Sequence, residues 1–542
     1  MTTTEQEYDF IVVGAGSAGC VVAGRLSEAG HSVLLLEAGG KAINPWIHIP
    51  LGYARLYANA SLNWCYQSEP EPHLHGRSLF QPRGKVLGGS GSINGMIFIR
   101  GQQEDFNQWA ALGCEGWGFD NVLPFFKKLE DQQRGSSPYH ATGGPLTVSD
   151  LPSSYELGDA FHAASYNLGS PYNDDFNGES QLGTGYVQVN TKNGRRWSTA
   201  DAYLSKPMAS NIRVVTHVMV DKISVVEGQV VGVHYSDKQG QHIARASKET
   251  IISAGTFNSP KLLELSGIGD TTVLEQHSIP VVHHLPGVGN NLRDHFGIGL
   301  EFKCNKPITV NDLYNNPLRG ALAMLKYLLF RTGPMASNGN YSNTFIKTSE
   351  AIDRPDMMIT FMSWCTGEDL SPRPFSGFTI LSEHIRPDAR GSVHIRSQDP
   401  KKPPAIQFNF LATEADQQAA VAGLRHARKI SQTAPMSDYI SEEIIPGLDH
   451  QTDAQLLEHC RSRGLSLLHC VGTCKMGIDE LAVVDSRLRV RGIEGLRVID
   501  ASIMPTIVSA NTNAATIMIG EKGAQMLIDD WERHKTQDGV SS

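Results

Sequence analysis

The chain has few cysteines, no excess of positive charge and no long apolar run, and each shortage closes off a class of protein. Eight cysteines in 542 residues do not make a disulfide scaffold. Cys470 and Cys474 have neither a second pair nor histidines at zinc spacing, so no metal is expected. All eight read as reduced thiols of a cytosolic protein. A net charge of −9, without a basic stripe, argues against nucleic acid as a partner. No stretch approaches the ~18 consecutive apolar residues of a transmembrane span. The most apolar helix candidate, Leu318 to Phe330, is too short and carries Arg319 and Lys326. Residues 1–7 offer neither the basic nor the apolar region of a signal peptide. A cytoplasmic location follows, with peripheral contact at the inner membrane left open.

What is present begins at residue 9. The apolar run Phe10 to Val13 suits a strand buried on both faces, and Gly14, Gly16 and Gly19 follow at G-x-G-x-x-G spacing. The first allows a tight turn, the second a close approach of backbone to a pyrophosphate, the third packing of helix on strand. A helix closed by Gly30 and a second strand, Val33 to Leu36, complete a βαβ unit. Glu37 ends that strand, where an acid accepts hydrogen bonds from a ribose diol. The unit predicts a dinucleotide and leaves FAD and NAD both open.

A chain of this length requires more than one domain. Residues 44–83 read as an extended loop or lid. Helical patterns lie between Asp105 and Glu130, and 133–155 reads as a connector. Ile212 to Val233 predicts a hairpin turning at Glu227-Gly228. Thr250 to Ser253 is a buried strand leading into a helix, with Ser259 and Pro260 at the helix start. Runs at Met357 to Met362, Phe378 to Glu383 and Ser392 to Ile395 suggest one antiparallel sheet, flanked by helices at Leu318 to Phe330 and Glu414 to Ala434. Leu496 to Ile499 and Thr516 to Ile528 return to βα character. The expected fold class is α/β: a Rossmann-like nucleotide domain, discontinuous in sequence, with a second α+β domain built on an antiparallel sheet. The nucleotide domain is assigned 1–155, 196–305 and 465–535, the second domain 156–195 and 306–464, and a tail 536–542.

Two glycine-dense segments bear on the cofactor. Gly84 to Met96 contains Gly88, Gly89, Ser90, Gly91, Asn94 and Gly95, which suits backbone lying against a large planar ligand. Gly255 to Gly269 is a strand-to-helix turn closed by Gly267 and Gly269. Together they resemble the two signatures of the glucose–methanol–choline (GMC) family of FAD-dependent oxidoreductases. The resemblance continues through Leu285 to His295, His469 to Gly477, Asp500 to Pro505 and Asn511 to Ala514, and so covers essentially the whole chain. Within the family, the texture is most similar to choline dehydrogenase-like proteins and bacterial flavin alcohol dehydrogenases.

The resemblance implies FAD and a fold of the kind expected. It implies that Gly14, Gly16, Ser17 and Gly19 hold the pyrophosphate, Glu37 the adenosine ribose and Val220 the adenine. Gly88, Gly89, Ser90, Asn94 and Gly95 would lie along the isoalloxazine, with Asp500, Ala501, Asn511 and Thr512 completing the cofactor set. Ile93 stands at or beside the position where some relatives carry a histidine bonded to the flavin, so the FAD is expected to be non-covalent. His469 is implied as the catalytic base and Asn511 as the second group on the alcohol oxygen. Capping preference separately reads Asn513 as the N-cap of the helix that begins before Ala514. Relatives commonly have proline after this histidine, where Cys470 stands here, read as a packing residue.

The implied reaction is oxidation of a primary alcohol to the aldehyde by hydride transfer to flavin N5, with electrons passed to a quinone or other carrier. Use of O2 as acceptor, choline as substrate, or a lyase or photodecarboxylase on the same scaffold are the alternatives. Tyr341 falls where choline-oxidising relatives carry a glutamate. Tyr341, Phe361 and Trp364 are therefore expected as pocket walls for neutral alcohols.

Overall fold

The computed structural model describes residues 6–205, 210–367 and 371–538. The opening apolar run is buried throughout and forms the heart of the strand Gln6–Val13. It pairs in parallel with Val33–Glu37 on one side and Gly240–Ile252 on the other. The full sheet has seven strands, in the order Ile212–Thr216, Val33–Glu37, Gln6–Val13, Gly240–Ile252, Gln229–Asp237 and Met219–Val226, with Leu496–Val498 paired to Gly240–Ile252. Three distant stretches of chain thus meet in one sheet. The hairpin at Glu227-Gly228 forms, both residues holding positive φ (50° and 81°). Helix Ser17–Glu28 packs against helix Asn513–Asp538, where the Arg25 guanidinium donates to the buried Glu521 carboxylate at 2.8 Å.

The second sheet also has seven strands: Ile440–Ile445, Phe296–Cys304, Gly377–His384, Met357–Met362, Asn340–Ile346 and Gly183–Tyr186, with Leu465–Ser466 added to Phe296–Cys304. Helix Glu414–Gln432 covers one face, burying Ala420, Leu424, Ala427 and Ile430 at helical spacing. The opposite face belongs to the site.

Several expectations change. Gly391–His394 joins a separate three-stranded sheet with Asn290–Leu292 and Ala405–Gln407. Short strand patterns specify pleat and not partner, which is why it was grouped with the larger sheet. Residues 44–83 include the helices Pro45–His48 and Tyr53–Tyr57. The first starts on a readable signal, Asn44 accepting from the Trp46 N–H with Pro45 at the first helical position. The last helix starts earlier and runs to Asp538, into the assigned tail, whose residues 539–542 lie outside the described residues.

Pro260 lies inside helix Gly255–Leu265 and not at its start. It cannot donate to the carbonyl four residues back. That carbonyl, on Thr256, instead accepts the Thr473 hydroxyl at 2.6 Å. The break in the helix ladder therefore anchors the segment that carries His469.

Arg196 fixes the glycine-rich loop. Its guanidinium is fully buried and donates to Ile47 O, Gly91 O, Asn94 O and Asn94 Oδ1. Burial pushes it down to about 10, still charged at neutral pH. Arg196→Met would strand these acceptors and is expected to lower the unfolding free energy by ~3–5 kcal/mol. Urea denaturation followed by tryptophan fluorescence would read this, and an unchanged midpoint would remove the loop-fixing role.

Candidate functional site

The parallel strands end together, and each is followed by a residue of one cavity of about 490 Å³. Val13 leads to Gly14, Leu36 to Glu37, Ile252 to Ser253, and Val498 to Asp500. The carboxyl edge of an open α/β sheet is where such folds bind ligands. Gly14, Gly16, Ser17, Glu37 and Val220 line this cavity, as do Gly89, Ser90, Asn94 and Gly95. So do Asp500, Ala501 and Thr512, together with His469 and Asn511. Gly19 and Gly88 are not on its surface. A Cβ on Gly19 would lie 1.9 Å from Gly14 O, so this glycine serves helix-on-strand packing.

The residues present fit a dinucleotide. A Cβ on Gly16 would have only Ser253 O within 4 Å, at 4.0 Å, which leaves the space beside its backbone to a ligand. The Glu37 carboxylate accepts from Ala15 N at 2.9 Å and Gly39 N at 2.8 Å, keeping lone pairs for a diol. Burial pushes it up to about 7, against these N–H donors. Ser17 Oγ donates to Asn513 Oδ1 at 2.7 Å, joining two helix N-termini at the cavity wall. Asn513 is thus the first helical residue, its side chain given to Ser17 and not to capping. Asp500 accepts from Gly255 N at 2.9 Å and Ser502 N at 2.8 Å.

His469 and Asn511 come together: Asn511 Nδ2 lies 2.8 Å from His469 Nε2. A third residue fixes the proton positions. His295 Nε2 faces Ile385 O at 3.2 Å, and a carbonyl can only accept. His295 Nδ1 is then the acceptor in the neutral ring, so His469 donates its Nδ1–H across 3.0 Å. The remaining nitrogen, His469 Nε2, presents a lone pair to the Asn511 amide and the cavity. Burial, reinforced by the Arg83 guanidinium, pulls His469 down to about 3, so the ring is a neutral base through the physiological range. Asn511 Oδ1 is buried and has no partner, an acceptor waiting for a ligand's donor. Beneath the pair, buried Asp294 accepts from His469 N at 2.7 Å.

Cys470 packs as expected in the apolar core. It also receives Arg83 Nη2 at 2.6 Å, while Nη1 donates to Leu468 O at 2.8 Å. Arg83 thus holds the His469 segment from the side.

The pocket walls correct the sequence expectation. Trp364 lines the cavity, but Tyr341 and Phe361 do not. Tyr341 stacks on Tyr155 at 3.7 Å, and Phe361 is fully buried in the core behind the sheet. Strand parity decides this: Met358, Thr360 and Met362 face the cavity, so Phe361 between them faces away. The same alternation brings in Leu381 and Glu383 from the neighbouring strand, where Glu383 pairs with Met358. Glu383 is 4% exposed and accepts from Thr360 Oγ1 at 2.7 Å. Burial, with Asp294 adding repulsion, pushes it up to about 8. Arg83, His295 and Glu383 were not assigned from sequence. The signals were an arginine abutting the glycine cluster, a histidine closing the stretch Leu285 to His295, and an acid at the cavity-facing parity of its strand.

Because the folded value of Glu383 lies above the ordinary one, its stabilising effect is full below about 4.5 and is lost as pH rises to about 8. Relative to Glu383→Gln, the wild-type protein is expected to lose a few kcal/mol over that window. Melting curves of the two proteins between these pH limits would show it. Parallel curves would place the carboxyl in a solvated setting.

Sequence models of the GMC oxidoreductase family match residues 8–297 and 387–520. An alcohol dehydrogenase (acceptor) of Pseudomonas putida is 40% identical over 96% of both chains. An oxygen-dependent choline dehydrogenase of Brucella ovis is 39% identical over 96% of both. The formate oxidase of Aspergillus oryzae RIB40, solved for the effect of a mutation on FAD modification, superimposes with a TM-score of 0.92 at 26% identity, covering 98% of this chain and 100% of that one. With FAD thereby identified as the dinucleotide, the chain belongs to the GMC oxidoreductase family.

Proposed function

We propose that the protein oxidises a primary alcohol to its aldehyde, with His469 as base and Asn511 holding the alcohol oxygen, and that the electrons pass on to a quinone or another carrier. The observation that carries this reading is the 2.8 Å pair of His469 and Asn511 on the wall of the FAD cavity. FAD, when bound, supplies the hydride acceptor. Gly14, Gly16 and Ser17 would hold its pyrophosphate, Glu37 and Val220 its adenosine, and the Gly89 to Gly95 loop its ring system. Asp500, Ala501 and Thr512 would complete the cradle. Its attachment is non-covalent: Ile93 lines the cavity, and His469 is the sole histidine among the described lining residues.

An alcohol oxygen placed between His469 Nε2 and Asn511 gives its proton to the imidazole and accepts from the asparagine Nδ2. The orphaned Asn511 Oδ1 keeps the amide free to reorient toward that oxygen. Orientation by two fixed groups brings the carbinol carbon into line for hydride loss. The far wall, Met358, Met362, Leu381 and Trp364, is apolar. With Glu383 protonated below about 8, no fixed anion there matches a quaternary ammonium, which favours neutral alcohols over choline.

Anaerobic addition of an aliphatic or aromatic primary alcohol is expected to bleach the flavin absorbance, and a flavin that stays oxidised across a broad alcohol panel would overturn the reading. His469→Ala is expected to slow flavin reduction at least ~10²-fold, seen by stopped-flow; an unchanged rate would remove it as the base. Oxygen consumption equal to aldehyde formation would make the enzyme an oxidase, and turnover without any acceptor a lyase.

A further inference from the structure

Helix Pro317–Phe330 carries its apolar side outward. Its buried residues are Ala323 and Tyr327, four apart on one side. Leu318, Leu322, Leu325 and Leu329 follow at i, i+4, i+7 and i+11, forming one stripe opposite them. They are 52–69% exposed. Leu328 flanks the stripe, and Phe330 at the end of the helix is exposed as well. A surface helix ordinarily turns such a stripe to the core. Turned to solvent, it is a contiguous patch of the kind that marks a contact surface.

The charges indicate what it contacts. The helix has no acidic residue, its charged side chains are Arg319 and Lys326, and Arg331 follows directly. Such a cationic fringe stands out on a chain of net charge −9. A second copy docked about a two-fold axis would bring these cations against their equivalents. An anionic lipid surface suits both parts: leucines at the acyl boundary, cations at the phosphates. We propose that helix Pro317–Phe330 docks the protein on an anionic bilayer by inserting this leucine stripe.

The docking helix packs beside the cavity. On its buried side the helix shares a cluster with Leu51, Met335, Ala336 and Trp364. The Tyr327 hydroxyl reaches His48 O at 3.4 Å. Trp364 and Tyr53, two residues past Leu51, line the cavity itself. A membrane-dissolved alcohol or quinone would therefore meet the protein beside its active cavity. That use rests on the reaction proposed above, whereas the docking does not.

The test is co-sedimentation of the FAD-loaded protein with phosphatidylglycerol-containing vesicles and with pure phosphatidylcholine vesicles. Wild-type protein is expected to bind the anionic vesicles, more weakly as salt is raised. Leu322→Glu/Leu325→Glu, at exposed positions, is expected to cut the bound fraction at least ~tenfold while melting temperature and flavin reduction by a water-soluble alcohol stay unchanged. Arg319→Glu/Lys326→Glu is expected to lose the preference for phosphatidylglycerol. Wild-type protein that stays in the supernatant, or leucine variants that bind equally well, would overturn the proposal. An oligomer in solution that the leucine variant breaks into monomers would also overturn it, assigning the face to a second copy. Vesicle binding by a protein that reduces no flavin with any alcohol would uphold the docking and sink the proposed reaction alone.

Discussion

Parallel pairing of Gln6–Val13 with Gly240–Ile252, extended by Leu496–Val498, is the constraint on which the rest depends. Parallel strands cannot be joined by tight turns, so long segments must leave the sheet and return to it. The excursion between residues 252 and 496 supplies every strand of the second sheet except Gly183–Tyr186 and carries His469. Because Val33–Glu37, Gln6–Val13, Gly240–Ile252 and Leu496–Val498 run the same way, their carboxyl ends share one edge of the sheet, and Gly14, Glu37, Ser253 and Asp500 converge there without further design. A one-residue slip of the last strand would move Asp500 off the N-terminus of helix Gly255–Leu265, where it accepts from Gly255 N at 2.9 Å, and would displace His469 and Asn511 with it. Thr473, bonded to the carbonyl that Pro260 leaves free, resists that slip.

The first strand, its glycines and Glu37 were legible because each is a local signal: buried apolar run, tight turn, acid at the strand end. The pairing of His469 with Asn511 was legible only through family resemblance, since nothing local separates one histidine among 20. The pocket walls were misjudged for a definite reason. Tyr341 and Phe361 have the right chemistry, but a strand's two faces alternate, and the sequence does not state which face looks at the cofactor. Once Met358 is known to face inward, Thr360, Met362, Leu381 and Glu383 follow by parity. Arg196 and Arg83 were beyond reach because their roles rest on acceptors from distant loops, Ile47 and Leu468 among them. Likewise, the pattern at 318–330 located a helix; only the fold revealed that its apolar stripe faces outward.

Burial acts on the site in one direction. It lowers His469 and raises Glu37, Asp294 and Glu383, in each case favouring the uncharged form. Burial thus draws these four groups toward their neutral forms before any ligand binds. The segment 298–386, between the two family matches, supplies Met358, Thr360, Met362, Leu381 and Glu383. The cofactor cradle lies inside the matched regions, whereas this wall is where substrate choice would be set.

The same burial poses a problem for the proposed reaction, and the histidine pair constrains its solution. Taking the alcohol proton turns His469 into a buried imidazolium, which its surroundings disfavour strongly enough to hold the neutral ring down to about 3. The charge is acceptable only if brief, so the proton must leave the ring within the catalytic cycle. His295 offers no exit: its Nδ1 accepts the His469 Nδ1–H, but its own Nε2–H ends on Ile385 O, a backbone carbonyl that accepts a hydrogen bond and not a proton. His295 therefore orients the base and fixes its tautomer without draining it. The one route left is back through Nε2 into the cavity. Proton uptake and release then share a single nitrogen, so deprotonation of the next alcohol has to wait until the previous proton has gone.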